Sequence, residues 1–286
     1  MKYIKKFATL SAFNSFVLDH TNTPNASLIE ELTGSNRITY TPFIPAPVGH
    51  DYSLDYFTIE AIDDIDVFLD YKGVTDDHQP YPSYSIDNGS TWSTMDSAVS
   101  LSAGDKILFK HSEVICYGSN FTYQFYDGNG DVIQGRFNVE GNIMSLVYGD
   151  NFANQTSFPN SIDWQHAFNS IFYCQTNLIS AENLILPVTT LTSGCYMSMF
   201  SGCTSLTTAP VLPATILVDD CYNYMFAWCS SLNYVKCLAT DISAEYCIAT
   251  WLDGVNSTGT FIKNPNMTSW PIGDNGIPSG WTVQDA

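Results

Sequence analysis

The sequence is short of cations and of charge altogether. Its 286 residues include 10 Lys and Arg against 29 Asp and Glu, a formal net charge of −19, and charged residues make up only 14% of the chain. Proteins that bind nucleic acid need cations to neutralise phosphates, and anionic membrane surfaces attract basic segments. No apolar run approaches the length of a membrane span. We therefore expect neither nucleic-acid binding nor membrane insertion.

Recognisable catalytic and metal-binding motifs are also missing. The sequence has no H-E-x-x-H, G-x-S-x-G, P-loop or C-x-x-C pattern, and its 5 histidines are scattered. Acidic residues crowd around Asp63 and Asp70, and a partial calcium-loop pattern begins at Asp127 but lacks its final Glu. A solvated turn and strand face is favoured near Asp63 and Asp70, where a calcium site stays open, and a hairpin turn explains the pattern at Asp127 better. We predict no enzyme activity, no catalytic residues, no cofactor and no metal site.

The composition predicts a folded, mostly β chain with three regions. Hydrophobic residues make up 45% of the chain, which is too many for an intrinsically disordered protein. Residues 1–48 are predicted to be a small N-terminal anchor segment with a Pro-rich linker and two short strands, at 27–30 and 38–41, around Gly34. Residues 49–145 contain short aromatic and β-branched runs between turn sequences, which predict a β-sandwich. Residues 146–286 form the third region.

The third region repeats itself every 26 residues. The segment Tyr-Met-Ser-Met-Phe-Ser-Gly-Cys-Thr-Ser-Leu at 196–206 recurs as Tyr-Asn-Tyr-Met-Phe-Ala-Trp-Cys-Ser-Ser-Leu at 222–232. The apolar residues of each unit have the spacing i, i+3, i+4 and i+7, which predicts a short helix with one buried stripe. The predicted repeat core consists of Tyr196, Met199, Phe200, Cys203, Leu206, Tyr222, Met225, Phe226, Cys229, Leu232, Ile248, Trp251, Leu252 and Val255.

Stacking is the way in which such units bury an apolar face that a single unit leaves uncovered. We therefore predict an α+β or mostly β chain that ends in a short leucine-rich-repeat solenoid, with one strand and one short helix per unit. The segment from about residue 259 carries Trp270 and Trp281 among Pro, Gly and Asp residues, and it is predicted to cap the last coil.

Five of the eight cysteines follow the same period. Cys195, Cys221 and Cys247 are 26 residues apart, and so are Cys203 and Cys229. Adjacent coils of a stacked sheet lie about 4.7–4.9 Å apart, which is slightly wide for the Cβ atoms of a relaxed disulfide. We expect buried free thiols rather than disulfides.

A family resemblance follows from these motifs. The pattern Met-Phe-x-x-Cys-x-x-Leu, at 199–206 and again at 225–232, resembles the BspA-type leucine-rich repeats of bacterial surface proteins. The stretch from Tyr84 to Ile107 is similar to a module that often precedes such repeats in gut Bacteroidetes. Residues 1–48 are similar to the starts of virion proteins of Bacteroidetes phages, including crAss-like phages. These resemblances imply a repeat that serves adhesion, recognition or a particle surface.

Aromatic residues are the remaining candidates for a binding site. Tyr224, Trp228 and Tyr234 lie in one repeat, and Tyr224 and Trp228 fall outside the predicted buried stripe. Exposed aromatic side chains stack on sugars or anchor protein partners. The alternative is that Trp228 simply packs between coils.

The resulting hypothesis is a non-enzymatic bacteriophage virion protein of the fibre or decoration type, on head or tail. Residues 1–48 would hold it to other virion proteins in a homo- or hetero-oligomer, and the repeats would meet a host-surface glycan or protein. A secreted bacterial surface adhesin is the alternative, but the first 18 residues lack the uninterrupted apolar stretch of a signal peptide. A carbohydrate-binding or carbohydrate-active protein is the second alternative, because 29 acidic residues leave a catalytic carboxylate pair open.

Overall fold

The computed structural model describes residues 55–72, 82–111, 122–159 and 164–286, and two short strands before them. Residues 1–51 and 52–286 form two compact units. In the first unit, β1 (Leu32–Thr33) and β2 (Asn36–Arg37) pair antiparallel, closer to Gly34 than the predicted strands at 27–30 and 38–41. The rest of the predicted anchor segment lies outside the described residues.

The second unit is mostly β, as predicted. In its described part, helix is confined to α1 (Ser145–Tyr148) and a 3-10 turn at Gly149–Asn151. No helix there has the length and apolar character that a membrane crossing requires. Its strands are β3 (Phe57–Ala61), β4 (Ile65–Lys72), β5 (Ser83–Ser85), β6 (Ser93–Thr94), β7 (Val99–Leu101), β8 (Lys106–Lys110), β9 (Thr122–Tyr126), β10 (Phe137–Asn142), β11 (Leu178–Ser180), β12 (Leu184–Ile185), β13 (Thr208–Leu212), β14 (Tyr234–Cys237), β15 (Gly259–Lys263) and β16 (Trp281–Asp285).

One sheet runs through the whole second unit. Its order is β16-β15-β14-β13-β11-β10-β3-β8-β5-β6, and β12 also pairs with β10. The strands from β10 to β16 are parallel, whereas β3, β8, β5 and β6 continue the sheet antiparallel. A second sheet has the order β7-β4-β9. Because β10 belongs to both parts of the large sheet, the predicted region boundary at residue 145 does not interrupt the strand pairing.

The C-terminal part is a β-solenoid-like stack of about four coils. We number them coil 1 to coil 4 by their strands β11, β13, β14 and β15. The predicted 26-residue register holds in the sheet, where Thr208 pairs with Tyr234 and Val235 pairs with Phe261. The prediction that successive repeats stack on one another is therefore confirmed.

A ribbon of overlapping turns precedes the strand of each coil. These turn ribbons comprise residues 166–175, 194–203, 220–229 and 246–254. Alternate N–H groups donate within the ribbon to the carbonyl three residues back, as Met199 does to Tyr196 over 3.2 Å. In the first three ribbons the intervening N–H groups donate to backbone carbonyls of the next coil, as the Phe200 N–H does to the Met225 carbonyl over 2.9 Å. Every coil junction from coil 1 to coil 4 therefore has a ribbon ladder as well as a strand ladder.

Every fourth residue of a turn ribbon has a left-handed backbone. These residues are His166, Ser170, Cys174, Gly194, Ser198, Gly202, Asp220, Tyr224, Trp228, Tyr246, Thr250 and Gly254, with φ between 53° and 79°. A right-handed α-helix cannot include such residues. The predicted helix in each unit is therefore wrong, because a four-residue turn period also brings positions i, i+3, i+4 and i+7 to one side.

Two stacks of aromatic rings fill the solenoid interior. The first consists of Phe125, Phe172, Phe200 and Phe226, with ring centroids 5.2–5.5 Å apart and nearly parallel planes. It starts on β9, so the core continues from the first sheets into the coils. The predicted repeat core is buried at every position except Val255, which is half-buried.

The second aromatic stack ends in the C-terminal segment. Its rings are Phe168, Tyr196, Tyr222, Trp251 and Trp270, spaced 5.6–6.4 Å. The indole N–H of Trp251 donates to the Gly276 carbonyl over 2.9 Å. The stacked Trp270 ring and this hydrogen bond therefore cover the last turn ribbon.

Removal of two buried hydroxyl groups should stabilise the fold. The Tyr196 and Tyr222 hydroxyls are buried and have no hydrogen-bond partner within the described residues, and Phe168 occupies the same stack without a hydroxyl. We expect Tyr196→Phe and Tyr222→Phe each to raise the free energy of unfolding by about 1 kcal/mol in urea titrations. The control Tyr123→Phe should lower it by a similar amount, since the Tyr123 hydroxyl donates to the Leu146 carbonyl. A loss of stability in both ribbon variants would contradict the prediction.

Candidate binding surface

The turn ribbons of coils 3 and 4 carry exposed aromatic side chains. Trp228 is 51% exposed, Tyr246 60% and Tyr224 37%. All three occupy left-handed positions of their ribbons, whereas the neighbouring ribbon positions supply the buried core. We call Tyr224, Trp228 and Tyr246 the aromatic face.

The backbone at the aromatic face is strained. A left-handed conformation costs a non-glycine residue about 1–2 kcal/mol, and bulky residues rarely adopt it. Glycine fills the matching positions in other coils, at Gly202 and Gly254 for Trp228 and at Gly194 for Tyr246. The fold therefore accepts glycine where this chain places a large aromatic side chain that faces outward.

The Trp228 ring is held in place by its neighbours. It stacks on Tyr224 with a centroid distance of 6.2 Å and an interplanar angle of 26°. In coil 4 it lies against Gly254, where a Cβ atom would be 2.9 Å from the Trp228 Cδ1 atom. The small residue in coil 4 thus makes room for the indole of coil 3.

Acidic residues lie in, or directly before, the two turn ribbons that carry the aromatic face. Asp219, Glu245 and Asp253 are exposed and Asp220 is half-buried. The Asp253 carbonyl accepts the Trp228 N–H over 2.6 Å, and the Asp219 carboxylate accepts the Glu245 N–H over 3.0 Å. From residue 164 to 258 the sequence has six acidic residues and a single cation, Lys236, which lies on β14. The ribbon surface is therefore negative.

The structure brings together two of the three predicted binding residues. Tyr224 and Trp228 stack on each other, whereas Tyr234 is half-buried on β14 and lies in a different part of its coil. Burial and the nearby Glu182 carboxylate raise the pKa of Tyr234. Tyr246 was not predicted from the sequence, although it follows Asp220 by the repeat period of 26. A helical period does not reveal that these two positions face outward.

The acidic residues near Asp63, and Asp127, form ion pairs or hydrogen bonds with other groups of the protein. Asp63 forms a two-point ion pair with Arg136, at 2.8 and 2.9 Å, which lowers the pKa of Asp63 to about 2. The Asp66 carboxylate accepts the Ser100 hydroxyl over 2.6 Å. Asp127 accepts backbone N–H groups of its own turn, which lowers its pKa. In the described ranges no three His, Cys, Asp or Glu side chains are placed to hold one metal ion.

A shallow cleft lies on the outer face of the smaller sheet. Its volume is about 480 Å³, and Phe68 and Tyr126 form part of its lining with the carboxylates of Asp70, Asp96 and Asp127. Phe68 and Tyr126 are direct cross-strand neighbours. Aromatic rings stack on the apolar faces of sugars and carboxylates accept hydrogen bonds from sugar hydroxyl groups, so the residues of this cleft suit a sugar.

Seven cysteines lie in the described ranges, and all seven are free thiols, as predicted; Cys116 lies outside those ranges. Burial raises the pKa of Cys195, Cys229 and Cys237 to about 12 and that of Cys247 to about 11. Cys203 and Cys221 are also buried, with raised pKa values, whereas Cys174 is half-buried.

Thiol alkylation should follow this burial. At pH 8 a thiol with a pKa of 12 is ionised to only about one part in ten thousand, and the thiolate is the reactive form. We expect iodoacetamide to modify Cys174 in the native protein and to leave the six buried thiols intact, as peptide mass spectrometry will measure. Denaturation in urea should expose all seven. Equal native labelling of Cys221 and Cys174 would contradict the buried placement.

The Trp228 side chain is expected to be dispensable for folding. Trp228→Gly relieves about 1–2 kcal/mol of left-handed strain, while glycine adds about 0.5–1 kcal/mol of chain entropy in the unfolded state. We expect a free energy of unfolding within about 1 kcal/mol of the parent in urea titrations. Trp228→Ala, which keeps the strain, should be the less stable variant. A loss above about 2 kcal/mol in Trp228→Gly would mean that the indole serves the fold.

Comparison with protein-family models, with curated proteins and with solved structures gives no match to this chain.

Proposed function

We propose that the chain is a non-enzymatic structural protein of a bacteriophage virion, displayed on head or tail as a fibre or decoration. Residues 1–48 attach it to other virion proteins, and the two sheets of the following region act as a sandwich-like spacer. The coils are a variant of the BspA-type leucine-rich repeat, with a turn ribbon in place of the helix. They recognise a host-surface glycan or protein.

The aromatic face is the observation that supports recognition. Strained backbone conformations tend to persist at functional sites, and exposed aromatic residues are typical anchors of binding interfaces. Trp228 and Tyr246 stand where glycine would fit the same fold without strain. A role in ligand binding explains why the chain keeps these side chains.

The virion location is supported by sequence resemblance. The start of the chain is similar to starts of Bacteroidetes phage proteins, and the repeat motif is similar to repeats that serve particle surfaces. A secreted adhesin of the same bacteria would use the same aromatic face and would differ only in location.

Fractionation of infected cultures tests the location. We expect mass spectrometry to find the chain in virions purified by density gradient, at a constant ratio to the major capsid protein. Detection in cell envelopes but never in purified virions would contradict the proposal and favour the adhesin.

Attachment of the isolated protein tests the recognition role. We expect the purified protein to bind gut Bacteroidetes host cells, and Trp228→Gly to reduce the bound amount at least fivefold. Tyr173→Ser is the matched control, because Tyr173 is an exposed ribbon aromatic in coil 1 that aligns with Ser201 of coil 2. Equal attachment by the parent and Trp228→Gly would contradict recognition through the aromatic face.

The carbohydrate-active alternative depends on the cleft at Phe68. It requires glycan turnover by the pure protein and loss of that turnover in Asp70→Asn or Asp96→Asn. Without turnover, the cleft supports at most sugar binding.

A further inference from the structure

We infer that the aromatic face binds a basic protein segment, whose arginine side chain stacks on Trp228 and pairs with the neighbouring carboxylates. This inference rests on the proposed recognition role and narrows its ligand to one chemical class. Four features support it: the charge around the face, the stacked pair of exposed rings, the acidic residue beside Trp228 and the spread of the acidic residues.

The charge around the face selects a cationic partner. Asp219, Asp220, Glu245 and Asp253 lie in the ribbons of coils 3 and 4 or directly before them, and Lys236 is on a strand rather than on a ribbon. A negative surface of this kind attracts positive groups and disfavours anionic glycans, since like charges brought together across an interface cost free energy. Phosphorylated or sialylated surface glycans are therefore poor partners.

The stacked pair of exposed rings favours a planar cation. Tyr224 and Trp228 stack on each other with 6.2 Å between ring centroids, and their side chains remain 37% and 51% exposed. A guanidinium group is planar and stacks well on a tryptophan face, where the cation is attracted by the ring electrons.

An exposed acidic residue beside Trp228 completes the site. The Asp253 backbone carbonyl accepts the Trp228 backbone N–H over 2.6 Å, so the two residues are neighbours across the coil junction. Arginine offers a fork of N–H donors that matches a carboxylate with two hydrogen bonds. One arginine can thus stack on Trp228 and pair with Asp253.

The spread of the acidic residues indicates a segment with several cations. Asp219 and Asp220 belong to coil 3, whereas Glu245 and Asp253 belong to coil 4. A polypeptide that crosses both coils presents several basic side chains to them, which a single small cation does not. The chemistry therefore favours a basic loop or tail of a partner protein.

Isothermal titration of the full chain with a hexa-arginine peptide tests this inference at 150 mM salt. We expect Trp228→Gly to weaken binding at least tenfold and Asp253→Asn about threefold to fivefold, while Tyr173→Ser stays within twofold of the parent. Hexa-lysine should bind more weakly than hexa-arginine, because its ammonium groups do not stack as planar cations. Cellohexaose, an uncharged oligosaccharide, should not bind.

Three results would overturn the inference. One is absence of hexa-arginine binding, and another is binding that Trp228→Gly leaves unchanged, which would reflect only the net negative charge of the chain. The third is Trp228-dependent binding of cellohexaose without such binding of hexa-arginine. In each case, attachment to host cells that Trp228→Gly reduces would still support the proposed recognition role. Equal attachment by the parent and Trp228→Gly would contradict both the recognition role and the inference of a basic ligand.

Discussion

Replacement of Phe226 by alanine should lower the free energy of unfolding by about 3–5 kcal/mol. Phe226 is fully buried, and its ring stacks on Phe200 at 5.4 Å with an interplanar angle of 5°. The substitution removes the last ring of the first aromatic stack and leaves a cavity in coil 3. Urea titration followed by circular dichroism measures the change.

Phe226→Leu is the matched control for this cavity. It retains most of the apolar volume and should cost clearly less than the alanine variant, because the cost grows with the space left empty. A change below about 0.5 kcal/mol in Phe226→Ala would place this side chain outside the core and contradict the stacked register.

The second large effect is expected at Gly141 on β10. Its φ of +77° is left-handed, and a Cβ atom there would lie 2.1 Å from the Tyr56 carbonyl oxygen. The strain of about 1–2 kcal/mol adds to about 1–3 kcal/mol of overpacking against backbone. We expect Gly141→Ala to destabilise the chain by about 2–5 kcal/mol in urea titration.

Gly104→Ala separates the two causes of this effect. Gly104 has a φ of +93°, but no heavy atom beyond its chain neighbours lies within 4 Å of the position that a Cβ atom would take. Its substitution therefore adds backbone strain alone, and we expect a loss of about 1–2 kcal/mol. If the two variants were equally destabilised, close approach of the Tyr56 backbone would play no part.

The stacking and the core could be predicted from the sequence, but the local backbone could not. The period of 26 correctly placed Tyr196 below Tyr222 and Phe200 below Phe226, because side chains of equal size must recur at each level of a stack. The same residues suggested a helix, since over eight residues a period of 4 and a period of 3.6 give the same apolar positions.

The signal that distinguishes the two periods lies in the glycines. Gly194 and Gly202 are eight residues apart, and glycine readily takes the left-handed conformation that a ribbon needs at every fourth position. In coil 3 the matching residues are Asp220 and Trp228, which hide that signal. Tyr246 was missed for the same reason. Trp228 was found because it lies outside the buried stripe of a helix as well as outside the buried positions of the ribbon.

The continuous sheet could not be predicted from sequence pattern either. β10 pairs antiparallel with β3 and parallel with β11. Its alternation of buried and half-buried residues does not indicate the direction of either partner strand. Direction of pairing depends on the path of the connecting chain, which local composition does not specify. The predicted boundary at residue 145 followed the composition, while the hydrogen bonds cross it.

The paired ladders also determine how the stack bears mechanical load. A pull on Trp228 along the coil axis is resisted at each junction between the four coils by two rows of hydrogen bonds. One row joins the strands and the other joins the turn ribbons. Both rows of hydrogen bonds share the tension, so a junction separates only when the strand row and the ribbon row both break. Because β10 pairs with both β11 and β3, backbone hydrogen bonds of one sheet carry the same tension into the antiparallel strands, with no linker between them.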